Sequence, residues 1–316
     1  MTKELDARDW KILDLLCTDA RASHNSIGKA MSIGKNSVTY RIDRLVKMGI
    51  ITGFAPVVNY NAIGFNVYNL LIRLSGREQE MADFLKSHPN TTVVDRLVGE
   101  WNFLVEFVSD VATFYAFLEE LKTKFSSILD VFEVHPELEP YRVQQLPGQI
   151  KPALSRKMEK AKIDDADFKL LFELNRDCTA SLLNLAKKLG VTYETVSARI
   201  KSLRKKGVIV EFTAKLNLHA LGYDVYLIML DLRNLSKERE SALRFYINDQ
   251  KNVRYAFMSA SKPVVFIYLA VKKSDELSAF LLDVKEKFSD VIVNQKYLFS
   301  SMQLKYDFFP EGLLHN

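Results

Sequence analysis

The 316-residue sequence holds two cysteines, Cys17 and Cys178, and five histidines. The cysteines fall at non-equivalent places near the ends of two predicted helices, which favours core packing over a disulfide or a metal ligand and suits a cytoplasmic protein. His24, His88, His135, His219 and His315 show no paired spacing, and the chain has no CxxC, phosphate loop or GxSxG. Neither a zinc site nor an activated nucleophile is indicated, so no cofactor, metal or catalytic residue is expected. Long apolar runs are missing as well. The longest, such as "PVVFIYLAV" (263–271), fall far below the roughly 20 residues of a membrane span. The opening "MTKELDARDW" has no apolar core of the signal-peptide kind. What is present is globular in character: 48% hydrophobic residues in a chain long enough for two to four compact domains.

The chain repeats itself. Residues 5–74 align without a gap on residues 163–232, always 158 positions apart (163 − 5), and about a third of the positions are identical. An internal repeat of that length means duplication of a whole unit. Within it, "KNSVTYRIDRLVKMGI" (35–50) and "YETVSARIKSLRKKGV" (193–208) each read as a helix with one apolar stripe. Val38, Ile42 and Leu45 in one copy, and Val196, Ile200 and Leu203 in the other, fall at i, i+4 and i+7. The rest of each helix is polar and basic: Lys35, Asn36, Ser37, Thr39, Tyr40, Arg41 and Arg44, and then Tyr193, Glu194, Thr195, Ser197, Arg199, Lys201, Arg204 and Lys205. Arg and Lys read guanine edges or hold phosphates, Asn reads adenine, and hydroxyls reach either, although a merely solvated face has a similar composition. Two shorter helical segments and a tight turn precede each of these helices, which is the helix-turn-helix order. Gly190 and Thr192 supply the turn and the cap in the second copy, where the first has Ser32 and Gly34. Gly49 and Gly207 stop the helices, and "IITGFAPVVN" and "VIVEFTAKLN" follow as pairs of β segments, each a wing. The remainder of each copy alternates strand, helix, strand, strand, helix, strand, the ferredoxin-like order. The predicted fold class is α+β: two repeats, each a winged helix-turn-helix domain followed by a ferredoxin-like βαββαβ domain. The predicted segments are 1–60, 61–139, a basic linker at 140–162, 163–222 and 223–316.

Charge follows this division. Residues 1–60 carry nine Lys and Arg against six acids and residues 163–222 ten against seven, +3 each. Residues 140–162, with "KPALSRKMEKAK", reach +5, while 61–139 stand at −7 and 223–316 at +1. Positive charge gathers where phosphates would be neutralised, so double-stranded DNA is the expected partner.

"LDARDWKILDLL…RIDRLVKMGIITGF…NYNAIGF" resembles the amino-terminal module of the Lrp/AsnC (feast/famine) transcriptional regulators, and "IDDADFKLLFEL…RIKSLRKKGVIVEF…NLHALGY" resembles it again. The resemblance implies a sequence-specific DNA-binding regulator whose ferredoxin-like module senses a small, amino-acid-like effector and oligomerises. It places that effector at the hairpin between the second and third strands, here "GEWN": Gly99, Glu100, Trp101 and Asn102. The corresponding turn of the second copy, "SASKP" (259–263), lacks both Gly and acid. Regulators of this kind act as dimers with reading helices roughly 34 Å apart. A chain holding both helices is expected to pair its two halves as an intrachain pseudo-dimer, or with a second chain by domain swapping, and to form small homo-oligomers without a membrane. Two other readings share the fold: a sirohaem decarboxylase, whose His-rich strand signature is absent, and a tandem protein-interaction module that has lost DNA.

Overall fold

A computed structural model describes residues 5–149 and 160–314. The chain divides into two compact units, Met1–Ile63 with Glu159–Leu221, and Gly64–Met158 with Gly222–Asn316. Each unit takes one part from each repeat. The first repeat forms α1 (Ala7–Thr18), α2 (His24–Met31), α3 (Lys35–Lys47) and β1 (Ile51–Val58), then β2 (Asn66–Leu74), α4 (Glu78–Ser87), β3 (Thr91–Val98), β4 (Phe103–Ser109), α5 (Val111–Phe125) and β5 (Leu129–Val143). The second forms α6 (Asp165–Arg176), α7 (Leu182–Leu189), α8 (Tyr193–Lys205) and β6 (Ile209–Leu216). It continues with β7 (Asp224–Leu232), α9 (Lys237–Asp249), β8 (Val253–Ser259), β9 (Val264–Val271), α10 (Ser274–Lys287) and β10 (Ile292–Tyr306). This is the expected α+β order, twice.

In the first unit, local chemistry sets the helix ends. The Asp6 side chain accepts from the Asp9 amide while the Asp9 side chain accepts from the Asp6 amide, and Asp164 and Asp167 do the same for α6. Val38, Ile42 and Leu45 of α3 and Val196, Ile200 and Leu203 of α8 are buried, as their spacing predicts. The Thr192 side chain caps α8 by accepting from the Thr195 amide. Gly190 ends α7 at φ +67°, and Ser32, 158 positions earlier, ends α2 at φ +55°. A side chain in that left-handed region costs about 1 kcal/mol. Ser32→Gly is therefore expected to stabilise the chain by about 0.5–1 kcal/mol in a urea titration; a loss instead would mean the serine side chain contributes more than its backbone costs.

The predicted wings need correction. Each β segment is one strand, not a pair, and its partner lies in the other repeat: β1 and β6 run antiparallel with Phe54 opposite Ala214 and Pro56 opposite Phe212. Helix α1 lies against β6 and α6 against β1. The Ala20 amide donates to Phe212 O at 2.9 Å and the Cys178 amide to Phe54 O at 3.1 Å; Asn59 donates to Val208 O and Asn217 to Ile50 O, both at 2.9 Å. Each of these pairs maps onto its mate by the 158-residue shift, so the two readers are locked about a pseudo-two-fold ribbon. Both cysteines are buried and neither forms a disulfide, and burial pushes the Cys178 thiol up to about 12.

In the second unit the two ferredoxin-like sheets join edge to edge into a closed barrel, in the order β10-β3-β4-β2-β5-β8-β9-β7. Closure depends on β5 and β10, each 15 residues long. β5 pairs with β2 as far as Pro136 and then with β8 from Glu137, and β10 passes from β7 to β3 in the same way. The predicted linker therefore begins too early. Residues 140–143 are strand, and the guanidinium of buried Arg142 donates to Val253 O, Gln149 O and Gln144 Oε1. Pro136 and Pro140, which donate no backbone hydrogen bond, hid this extension from the sequence pattern. The basic segment at 150–159 lies outside the described residues. Helices α4 and α5 cover the outer face of one half through Met81, Leu85, Phe114 and Phe117, and α9 and α10 cover the other through Leu243, Ile247, Phe280 and Val284. Leu71, Leu104, Leu227, Phe257 and Phe266 fill the barrel interior.

Candidate nucleic-acid interface

The amphipathic pattern of α3 and α8 turns the apolar stripe inward and fixes which polar residues face out. On α3, Lys35, Asn36, Tyr40, Asp43 and Lys47 are exposed, Tyr40 to 65%. On α8 the exposed residues are Tyr193, Glu194, Ala198, Lys201, Arg204 and Lys205. The Arg204 guanidinium lies over the Phe212 ring at 5.9 Å from its centre. Lys47 and Ala198 escaped the sequence reading, yet the spacing 36, 40, 43, 47 and its counterpart 194, 198, 201, 205 continue one outward stripe.

Other predicted readers are occupied inside the fold. Arg41 Nη1 lies 2.9 Å from Asp6 Oδ2 and 2.7 Å from Asp9 Oδ1, and Arg44 Nη2 lies 3.0 Å from Asp9 Oδ2. Arg199 Nη1 repeats this at 2.8 Å from Asp164 Oδ1 and 2.7 Å from Asp167 Oδ1. These arginines tie the third helix of each module to the capping box of its first, a structural role beside the one expected from the sequence. The Asp9 amide and then the Arg41 guanidinium hold the Asp6 carboxyl below its ordinary value, and the Asp167 amide and Arg199 do so for Asp164. Asp9 has a fully buried side chain and Asp167 one that is 8% exposed, so the clamp neutralises charges that water cannot reach well. Thr39 Oγ1 hydrogen-bonds His24 Nδ1 at 2.8 Å and its own helix at Lys35 O, and Thr195 Oγ1 pairs with Thr192 Oγ1 at 3.1 Å. Ser37 and Ser197 are half-buried.

The effector turn is likewise engaged in the fold. Gly99 sits at φ +130°, and a Cβ there would meet Leu298 at 3.3 Å. Trp101 is buried in the barrel interior, and Asn102 accepts from the Leu74 amide and donates to Glu78. Glu100 pairs with Lys296 of β10 at 3.3 Å. The other hairpin mirrors it: Lys262 lies 3.5 Å from Glu133 of β5. Glu133 also contacts His135 Nε2, whose Nδ1 faces Ser259 and Ser261. These contacts engage Glu100 across a seam of the barrel and Asn102 within the first half.

A buried polar belt lies in the barrel wall. Asp95 is 2% exposed, and burial raises its carboxyl to about 7 against the opposing pull of Arg254, Gln303 and Ser300. Arg254 donates to Gln145 and Tyr306. Among the described residues no group of His, Cys, Asp and Glu could hold a metal ion, and no helix is long and apolar enough to cross a membrane.

Comparison with known proteins agrees with this geometry. A family model described as winged helix-turn-helix DNA-binding matches residues 5–52 and again 163–210. An uncharacterised HTH-type transcriptional regulator of Pyrococcus horikoshii is 31% identical over 104 residues, 32% of this chain and 70% of that protein. The HTH-type transcriptional regulator Ptr1 of Methanocaldococcus jannaschii is 32% identical over 120 residues, 37% of this chain and 80% of its own length. Among solved structures, the siroheme decarboxylase NirDL superposes with a TM-score of 0.66 over 95% of this chain and 92% of that one, at 14% identity. That likeness concerns fold alone. The family match at both helix-turn-helix segments and these relatives place the chain among DNA-binding transcription regulators. The chain belongs to the Lrp/AsnC family of such regulators, as a tandem duplication of the unit in a single chain.

Proposed function

We propose that the chain is a sequence-specific DNA-binding regulator that lays both of its reading helices on one duplex. The observation that carries this is the pair of outward stripes, polar with Lys35 and Lys47 on α3 and basic at Lys201, Arg204 and Lys205 on α8, held at a fixed relation by the β1–β6 ribbon. Joining two readers converts the second binding event into an intramolecular one, which raises affinity without any new contact. The contacting residues in this reading are Lys35, Asn36, Tyr40 and Lys47 on α3, and Tyr193, Glu194, Lys201, Arg204 and Lys205 on α8. Small-molecule control has no support at Gly99–Asn102, whose polar side chains are engaged in the fold, and titrating amino acids into the DNA complex tests it separately.

The test is binding to duplex DNA across a salt series. Lys201→Ala and Lys205→Ala are each expected to lower the slope of log affinity against log salt by about one unit, with a similar loss on every duplex. An unchanged slope in the double variant would remove α8 from the interface.

A further inference from the structure

The two outward stripes occupy equivalent places, 158 positions apart, but their chemistry is opposed at each end. On the first turn α3 presents Lys35 and Asn36 where α8 presents Tyr193 and Glu194. Lysine only donates and so takes guanine O6 and N7 or a phosphate; glutamate only accepts and so takes the cytosine amino group. In the middle, Tyr40 stands where α8 has Ala198, a ring against a methyl that suits the thymine methyl group. Toward the last turn the sign reverses: Asp43 and Val46 on α3 against Lys201 and Arg204 on α8, all exposed. At these two positions α3 offers phosphate an acid and an apolar side chain where α8 offers two cations, while Lys47 and Lys205 are alike. The contacts of Arg41 and Arg199 with the capping boxes and the apolar stripes, by contrast, are shared by both copies, so the two helices are seated alike even though Arg44 adds a contact only in the first.

From this we infer that the chain recognises an asymmetric duplex element and sits on it in one direction. The inference rests on the DNA-reading function proposed above. A dimer of identical subunits presents the same groups twice and is served best by an inverted repeat. Here an inverted repeat satisfies one helix and leaves the other facing wrong base edges at the first turn and the middle. The β1–β6 ribbon prevents either reader from being replaced by a second copy of its better-matched mate. A regulator that binds in one direction distinguishes the two sides of its site, so the same surface always faces the same flanking DNA.

The test starts from the element that the full chain selects out of random duplexes. That element is compared with two perfect palindromes, one built from each of its halves. The selected element is expected to bind roughly 10- to 100-fold more tightly than either palindrome. The variant Tyr193→Lys, Glu194→Asn, Ala198→Tyr, Lys201→Asp, Arg204→Val, which gives α8 the exposed residues of α3, should shift its preference to the palindrome built from the α3 half. If the unmodified chain selects a perfect inverted repeat, or binds a palindrome as tightly as the selected element, the inference is overturned while DNA binding stands. If no duplex is bound in a salt-dependent manner, the DNA-reading function itself falls.

Discussion

Arg199→Ala is expected to destabilise the second helix-turn-helix by about 2–3 kcal/mol, and Arg41→Ala the first by roughly half as much. The two arginines make the same contacts, but their surroundings differ. In the first copy Asp9 is also held by Arg44 at 3.0 Å, whereas the equivalent of Arg44 in the second copy is Ser202. Removing Arg199 therefore leaves Asp167, 8% exposed, without a cation among the described residues, and a nearly buried carboxylate lacking its partner is the costly case. Removing Arg41 leaves Asp9 with Arg44. Urea titration of each variant, with hydrogen exchange to localise the loss, reads the difference. Equal losses would show that Arg44 does not share the first clamp. A second variant, Arg199→Ala with Asp167→Asn, should recover part of the loss because no uncompensated charge then remains.

The second large effect is expected at Asp95. Its carboxyl titrates near 7 in the fold, against 3.8 ordinarily, because burial disfavours the charged form. Between about pH 4 and pH 7 the folded chain therefore keeps a proton that the unfolded chain has released. This contribution to stability is complete below the ordinary value, is lost as pH rises toward 7, and levels off above it. Asp95→Asn cannot ionise, so it should be the more stable protein at pH 8 by about 2–4 kcal/mol, with the advantage vanishing near pH 4. His88 pulls the other way over part of the range. Burial lowers its value to about 4, so its contribution is lost as pH falls below about 6.5. The difference between variant and parent cancels His88 and isolates Asp95. A difference that stays constant from pH 4 to pH 8 would defeat the assignment.

Much of this architecture was legible because it is local or repeated. The capped helices, the inward stripes Val38–Ile42–Leu45 and Val196–Ile200–Leu203, and the ferredoxin-like order all leave periodic marks. The features that escaped depend on a partner far away in the chain. β1 reads as a wing of its own because its true neighbour is β6, and the linker reads as beginning at 140 because β5 runs on to Val143 against β8. The arginines illustrate the limit at the site. Basic residues on a helix look like DNA contacts, and only the crossing of α1 over α3 brings Asp6 and Asp9 to Arg41. Lys201 and Lys205 are exposed, while Arg41, Arg44 and Arg199 are half-buried in ion pairs.

The two hairpin ion pairs bear on the history of the duplication. At both seams of the barrel the first repeat supplies the acid, Glu100 and Glu133, and the second repeat the base, Lys296 and Lys262. Lys296 occupies the place of Glu133 itself, 163 positions on (296 − 133), so one seam residue has reversed its sign between the copies. A first half meeting another first half would set Glu100 against Glu133, and two second halves would set Lys262 against Lys296. Each exposed pair is worth at most about 1 kcal/mol, but the mismatched arrangements replace two attractions by two repulsions at once. The seam charges therefore favour joining a first half to a second half over joining two like halves.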